Sequence, residues 1–508
     1  MPDQRYTRYA RHGGRRRLPM AFTFTLLAAA VLSGCAVGPD FQKPAMMDPG
    51  AQFVRQPSSV LSSSASSAAA SAQEPDAQFW RAFNDPLLDE LVARALVNNR
   101  DLHAAFARWQ AAQALLEGTR ADRLPTVTAN AGGTQQRLAR DQASPGQPRS
   151  SRSYQAGVAA SWEADLFGRV RRAIEAGEAD AQAGAADIAA MQLVIAAQLA
   201  GSYVELRGLQ MRLALSQDNE RNQRRTVELA EKRFSAGLST DFDLRRARAQ
   251  WQATLATIPS LEAQAAFAQH RIATLAGEMP GAWLEQLSVA PAALPAAPAL
   301  IDPGTPADLL RRRPDIAAAE ARLHGATARI GVATADLFPR VSLGAMLGSF
   351  TLAGGSLFKA ASSNSNVVLG IDWTFLDAGR VRARIAASEA GADEALAQYQ
   401  QTVLGAMEET ENALVRLQKN REQGDLLALA ASEQEQAEWQ ADRLYRAGSV
   451  SFYEVLDAQK QRLAAQDAAL QSRVAGLQAA LALYKSLAGG WGAGDPSVGY
   501  VELGQFSM

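Results

Sequence analysis

Residues 154–162 alternate with period two: Tyr154, Ala156, Val158, Ala160 and Trp162 point one way, Gln155, Gly157, Ala159 and Ser161 the other. Residues 367–375 repeat the pattern, with Val367, Leu369, Ile371, Trp373 and Phe375 on one side. Two further segments have one apolar face: 126–134 (Val127, Ala129, Ala131) and 340–348 (Val341, Leu343, Ala345, Leu347). Alternation predicts strands, and about nine to eleven residues is the length that crosses a bilayer at a tilt. The Ser/Gly/Asn-rich stretches 135–153 and 349–366 join the segments in pairs, as hairpins. Four strands cannot close a barrel, since about eight is the smallest number that works, and lipid does not tolerate an open sheet edge. A lipid-facing sheet must therefore borrow strands, most simply from a symmetric oligomer. The pattern alone leaves a second reading open: half-buried hairpins packed on helices in water.

Elsewhere the period changes to that of a helix. Residues 170–234 and 380–445 contain no proline and space apolar positions as Leu199, Tyr203, Leu206, Leu209 and Leu213. At 1.5 Å per residue each run would reach about 100 Å, and its 3–4 spacing with many alanines suits coiled-coil packing. Both runs end in similar phrases, Arg-Phe-Ser-Ala-Gly-Leu-Ser-Thr-Asp (233–241) and Leu-Tyr-Arg-Ala-Gly-Ser-Val-Ser (444–451). Gly237 and Gly448 suit the left-handed residue that stops a helix, and Thr240 and Ser451 suit the cap that starts the next.

The similarity of these phrases is part of a tandem duplication. Residues 162–251 match 373–462 at an offset of 211, pairing Trp162 with Trp373, Gly168 with Gly379, Gly237 with Gly448 and Asp243 with Glu454. Residues 101–131 match 315–345 at an offset of 214, pairing Pro125 with Pro339. One unit of about 210 residues is present twice. The expected organisation is a first repeat over 81–300, with strand hairpin 126–165 and helical hairpin 170–276. The second repeat spans 301–491, with strand hairpin 340–376 and helical hairpin 380–487.

Charge and cysteine usage bear on the ends of the chain. Residues 1–34 hold six arginines and one acid, Asp3, so the formal net charge of −1 conceals a remainder with about six more acidic than basic side chains. No basic stripe survives there for nucleic acid. The arginines precede the apolar run Met20–Leu32 and then Ser33-Gly34-Cys35, the layout of a secretory signal peptide over 1–34. The surroundings of Arg15–Arg17 match a twin-arginine signal poorly. Leu-Ser-Gly-Cys resembles the lipobox of bacterial lipoproteins, which implies acylation of Cys35, the single cysteine, and outer-membrane delivery. Residues 35–80, with a low-complexity Ser/Ala stretch at 58–72, then read as a lipidated tether, and 492–508 as a C-terminal tail.

Several phrases in order carry a family resemblance. Val-Gly-Pro-Asp-Phe (37–41), Arg-Arg-Pro-Asp-Ile-Ala-Ala-Ala-Glu (312–320), Ala-Asp-Leu-Phe-Pro (335–339), Phe-Leu-Asp-Ala-Gly-Arg-Val (375–381), Glu-Val-Leu-Asp-Ala-Gln (454–459) and Ala-Leu-Tyr-Lys-Ser-Leu-Ala-Gly-Gly-Trp (482–491) resemble the outer-membrane factors of tripartite efflux pumps, in particular the NodT-like lipoproteins of the TolC superfamily. The resemblance implies an α+β membrane protein: a homotrimer with a twelve-strand outer-membrane β-barrel, four strands from each chain, continuous with a long periplasmic α-helical barrel. It also implies a periplasmic adaptor protein and an inner-membrane resistance-nodulation-division (RND) transporter as partners, outer-membrane lipid around the barrel, and no cofactor beyond the lipid on Cys35. The chain would be a passive exit duct for small molecules such as drugs and toxic compounds. A type I secretion channel or a purely structural helical lipoprotein are the alternatives.

The same resemblance implies roles for residues at the helical-hairpin ends. Glu454 and Asp457, three apart on a helix and so on one face, would form an acidic pore constriction in the trimer. Asp243 and Tyr445 would latch neighbouring hairpins shut, a carboxylate accepting from a phenol. A second latch of some members uses an arginine where this chain has Val450, so Leu444, Val450 and Phe452 would supply an apolar constriction instead. Arg233, Ala236, Gly237, Ser239, Arg446, Ala447, Gly448 and Ser449 would contact the adaptor. Catalysis has little support in the residues. His103, His270 and His324 are scattered, no zinc-ligand spacing occurs, and neither a Gly-x-Ser-x-Gly elbow nor a Walker A motif is present.

Overall fold

The computed structural model describes residues 36–45, 50–55, 78–142, 146, 148–291, 293–296, 303–352 and 356–487. Cys35, the signal peptide, the 58–72 stretch and the Gly-Gly-Trp ending with the tail lie outside them. The elements run α1 (Pro86–Asn98), α2 (Arg100–Ala121), β1 (Thr126–Arg137), β2 (Ser150–Ala164), α3 (Arg169–Ser235), α4 (Asp241–Leu275), α5 (Leu284–Ser288), α6 (Pro306–Arg312), α7 (Pro314–Ala335), β3 (Arg340–Leu352), β4 (Ser363–Asp372), α8 (Arg380–Arg446) and α9 (Phe452–Leu487), with short 3-10 turns at Phe79–Phe83 and Ala360–Ser362. The two longest helices have 67 residues each, and both start and stop within a residue of the positions expected from sequence.

Two compact units emerge, and they cut across the repeats. One takes residues 1–41, 116–176 and 326–392, the other 42–115, 177–325 and 393–508. The reason is pairing between repeats. All four strands form one antiparallel sheet in the order β1-β2-β3-β4, so β2 of the first repeat is zipped to β3 of the second.

The strands differ in length from the sequence expectation. All four strands extend into the stretches expected as loops, 135–153 and 349–366, and β4 stops at Asp372, which leaves Trp373 and Phe375 outside. Arg340 pairs with Asp372, so the next rung would set Trp373 opposite Pro339. Proline has no N–H to give the ladder, which ends the pairing there.

In the second unit a core of Leu88, Leu91, Val92, Leu102, Ile188, Leu199, Tyr203, Leu206, Ile272 and Leu287 joins α1, α2, α3, α4 and α5. It encloses a polar chain. The Tyr203 hydroxyl donates to Asp85 at 2.6 Å, Arg207 donates to that hydroxyl at 3.0 Å, and Arg207 and Gln210 reach the carbonyls of Val289 and Leu287. Asp85 also caps α1 by accepting from the N–H groups of Leu87 and Leu88. Burial and the bond to Asp85 push the Tyr203 phenol far above its ordinary pKa. α4 runs on through Pro259, at the cost of one helical hydrogen bond.

Candidate functional site

The sheet in the first unit has two chemically distinct faces. Pairing puts Val127, Ala160, Ala345 and Val367 in one cross-strand row, Ala129, Val158, Leu347 and Ser365 in the next, and Trp162, Leu343 and Leu369 on the same side. Leu347, Val367, Leu369 and Ile371 on this face are about 70% exposed, an apolar surface far too continuous for chance. Rows on the other face read Thr128, Ala159, Met346, Asn366 and Asn130, Gly157, Gly348, Asn364. At the helical end, both repeats make one bond in common. The Trp162 indole N–H donates to Arg123 O at 3.0 Å, and that of Trp373 to Leu337 O at 3.1 Å. Such amphipathic rings belong at a membrane–water boundary.

The helices that leave the sheet are capped by carboxylates. Asp165 accepts from the N–H groups of Val170 and Arg171, and Asp377 from those of Gly379 and Val381. Beside the first cap lies the chain that follows Cys35. Val37 N–H donates to Phe167 O, and Arg172, 4% exposed, donates to Val37 O and Gly38 O and pairs with Asp40 at 2.6 Å and Glu175 at 2.8 Å. Burial opposes the Arg172 charge, but the two carboxylates outweigh it and raise its pKa. Gly38 has φ +92°, and a Cβ on it would lie 2.4 Å from Gly331 Cα. The Val-Gly-Pro-Asp phrase is thus a docking sequence. In the other unit Phe53 is 4% exposed and the N–H groups of Val54 and Arg55 donate to Glu411, so two parts of the expected tether are pinned to the fold.

The ends of the helical hairpins, in the second unit, match the sequence in local geometry. Leu238 N–H donates to Arg233 O and Gly237 N–H to Phe234 O, and Ser449 and Gly448 make the same pair to Leu444 O and Tyr445 O. These are Schellman motifs, with φ +73° at Gly237 and +75° at Gly448. A Cβ at either glycine would meet nothing within 4 Å, so the backbone angle, not space, requires glycine. Thr240 and Asp243 form a capping box, and Ser451 donates its hydroxyl to Glu454. Ala236, Gly237, Arg446, Ala447, Gly448 and Ser449 are exposed, with Arg233 and Ser239 half-buried.

The proposed gate residues are placed as follows. Glu454 and Asp457 lie exposed on one side of α9, whose other side packs Phe452, Val455 and Leu456 inward. Phe452, 8% exposed, belongs to a core with Val227, Leu244 and Leu456, whereas Leu444 is 46% exposed and Val450 half-buried. Within one chain Phe452 is therefore a packing residue. Tyr445 packs at a tilt against Phe452, ring centroids 5.4 Å apart, and lies under the Arg233 guanidinium at 5.0 Å. Asp243 accepts at one oxygen, Oδ2, from Ser239 and from the N–H and hydroxyl of Thr240. The Thr240 hydroxyl, more than any other group, holds the Asp243 carboxyl below the usual carboxylate range. Sequence reasoning missed Arg172 and Arg313, the latter buried and donating to Asp315, Glu409 and Ser486 O. The Arg-Pro-Asp and Gly-Pro-Asp phrases were the available signal.

The family model described as outer membrane efflux protein matches residues 91–278 and 305–489, one segment in each repeat. The chain is 34% identical over 429 residues to the pyoverdine export outer membrane protein OpmQ of Pseudomonas putida, covering 83% of this chain and 90% of that protein. It is 32% identical over 442 residues to nodulation protein T of Rhizobium leguminosarum bv. trifolii, covering 85% of this chain and 89% of that one. The solved outer-membrane channel OprN superposes with a TM-score of 0.81 at 39% identity, covering 90% of this chain and 100% of that one. The chain belongs to the outer membrane efflux protein family, and it is a non-enzymatic exit duct in the outer membrane of a Gram-negative bacterium.

Proposed function

We propose that three copies of this chain close a twelve-strand barrel and a periplasmic helical barrel, through which small molecules leave a tripartite pump. The observation that carries the reading is the four-stranded sheet, with an exposed apolar face and with β1 and β4 unpaired on their outer edges within one chain. In lipid those edges need partners, and a second copy offers β1 to β4 at no cost in new sequence. The partners are a periplasmic adaptor, met at the exposed hairpin ends around Gly237 and Gly448, and an RND transporter that supplies the energy. Cargo is of the small-molecule class, the pyoverdine of the OpmQ relative being one example of such export.

Gating follows from the same ends. Glu454 and Asp457 from three copies form an acidic ring that favours cations. Capping occupies Oδ2 of Asp243, which leaves Oδ1 to accept from Tyr445 of a neighbouring copy in the closed state. Leu444 and Val450 form the apolar constriction, with Phe452, packed against Val227 and Leu244 within one chain, backing it. Cys35 carries the lipid; its neighbour Ala36 lies so close to Gly168 that a Cβ there would come within 2.6 Å, beside the end of the sheet that bears Trp162.

Planar-bilayer recording of the purified lipidated protein tests the duct, with the subunit count read by cross-linking. A small cation-preferring conductance from a trimer is expected. A verified trimer that stays silent, even after Tyr445→Phe loosens the latch, would remove the channel reading and leave a structural lipoprotein.

A further inference from the structure

The apolar face of the sheet changes chemistry along its length. Moving away from the helices, β2 presents Trp162, Ala160, Val158, Ala156, Tyr154 and then Arg152, while β1 ends on Gln135 and Arg137 of the same face. Tyr154 lies over Gly133, where a Cβ would sit 3.2 Å from its ring. Eight residues separate Trp162 from Tyr154, about 26 Å along a strand. At a tilt of about 40° this is about 20 Å of depth, close to the apolar band that aromatic girdles flank in membrane barrels. Arg152 and Arg137 fall just beyond it, at the level of lipid headgroups on the exterior side.

A second observation comes from the segment between β3 and β4. Phe358 N–H donates to Ser349 Oγ at 3.1 Å, and Phe358 holds φ +69°, a left-handed angle rare for a bulky residue. This turn sets Lys359 at a cleft of about 580 Å³ over the apolar face, lined by Ala129, Ala156, Val158 and Leu347. Among the described residues Arg152 bonds a neutral partner, Gln135, at 3.2 Å. Among the described residues no acidic side chain pairs with Arg137, Arg152 or Lys359. The stretches 135–153 and 349–366 hold five basic residues and one acid, Asp141, in a chain that is otherwise acidic beyond its leader.

We propose that this rim binds the phosphate groups of a phosphorylated lipid of the outer leaflet, one acyl chain of which lies in the cleft beside Lys359. The inference rests on the outward orientation of the apolar face. Arg137 and Arg152 just beyond the aromatic girdle, with Lys359 at the edge of the cleft, complement headgroup phosphates, and the apolar cleft accepts the tail of the same molecule. A soluble anion would use the cations and ignore the cleft.

The test uses the full-length lipidated protein in detergent, with binding of diphosphorylated lipid A and of its dephosphorylated form measured by native mass spectrometry and thermal shift. The phosphorylated form is expected to bind about tenfold tighter or more, since each cation near an anionic surface adds about a fivefold factor and the rim holds three. Arg152→Glu with Lys359→Glu should abolish the preference, Arg152→Gln with Lys359→Gln should reduce it, and Arg225→Glu, at an exposed position of α3, should leave it intact. Equal binding of the two lipids, or a preference that survives the double reversal, overturns the proposal. So does displacement of the lipid by millimolar inorganic phosphate at constant ionic strength, which would make the rim a free-anion site. Flotation with zwitterionic phosphatidylcholine vesicles separates the two levels. Wild type that inserts without phosphate preference sinks the headgroup site alone, whereas wild type that fails to insert removes the outward apolar face and the site with it.

Discussion

The two hairpin ends are the same device with opposite electrical character. Both stop a 67-residue helix on a left-handed glycine and restart through a hydroxyl residue, Thr240 or Ser451, bonded to an acid three positions on. The offset of 211 sets Asp243 against Glu454, but it sets Asp457 against Arg246. In the first end charge is compensated: Asp241 pairs with Arg245 at 2.6 Å, and Arg246 covers the Tyr453 ring at 4.2 Å. In the second, Glu454 and Asp457 stand exposed together. The backbone solution is the same at both ends, and only the second presents the exposed acid pair. The charges differ at several matched positions: Asp241, Arg245 and Arg246 of the first end stand against Phe452, Leu456 and Asp457 of the second.

The sharpest way to break that asymmetry is Glu454→Ala with Asp457→Ala. In a trimer this removes six carboxylates from one ring, so cation preference in bilayer recordings should collapse, with conductance retained. Asp243→Ala should leave the preference largely intact, because its carboxylate serves the cap. Arg246→Asp should do the reverse and raise cation preference by making the first end acidic like the second. A double mutant as selective as wild type would move the constriction away from α9.

Effects on the shared backbone should be smaller and equal at both ends. Gly237→Ala and Gly448→Ala each force a Cβ into a left-handed residue, costing about 1–2 kcal/mol, with no steric clash to add. Hydrogen exchange of 233–241 and 444–452 should speed up by the same factor in the two variants. Unequal factors would mean that one glycine also carries a contact between copies. Thr240→Ala removes a capping box, worth about 1 kcal/mol, and should loosen only the first end.

How much of this was legible in the sequence depended on whether the cause was local. A left-handed stop at Gly237, a cap at Thr240 and an alternating strand at 154–162 are dictated by a few neighbouring residues, and they stand where the pattern put them. The end of β4 was not legible from its own alternation. Trp373 and Phe375 continue the period, but the partner strand begins after Pro339 and offers no N–H. Burial of Phe452 was hidden for a related reason, since the core it joins includes Val227 and Leu244 from the first repeat. Burial of Arg172 and Arg313 had no local signal, because beyond the nearby Glu175 and Asp315 each needs a carboxylate, Asp40 or Glu409, that lies 132 or 96 residues away. Pairing of β2 with β3 joined the repeats into one sheet, a consequence of geometry that no single segment announces.

The smallest expected difference between the ends is their response to acid. The Thr240 hydroxyl bond lowers the Asp243 pKa from the ordinary value of 3.8. A carboxylate with a depressed folded pKa adds stability that is fully present above its unfolded value and is lost as pH falls through the folded one. The capping box should therefore hold at neutral pH and begin to weaken only below about pH 4. Exchange of residues 233–243, corrected for the intrinsic rate, should rise between pH 5 and pH 3 beyond the rise in the rest of α4. Asp243→Asn keeps an acceptor oxygen but cannot titrate, so it should start slightly looser at pH 5 and show no extra loss at pH 3. An acid response that persists in Asp243→Asn would assign it to other groups nearby, with Asp241, paired to Arg245, the next to examine.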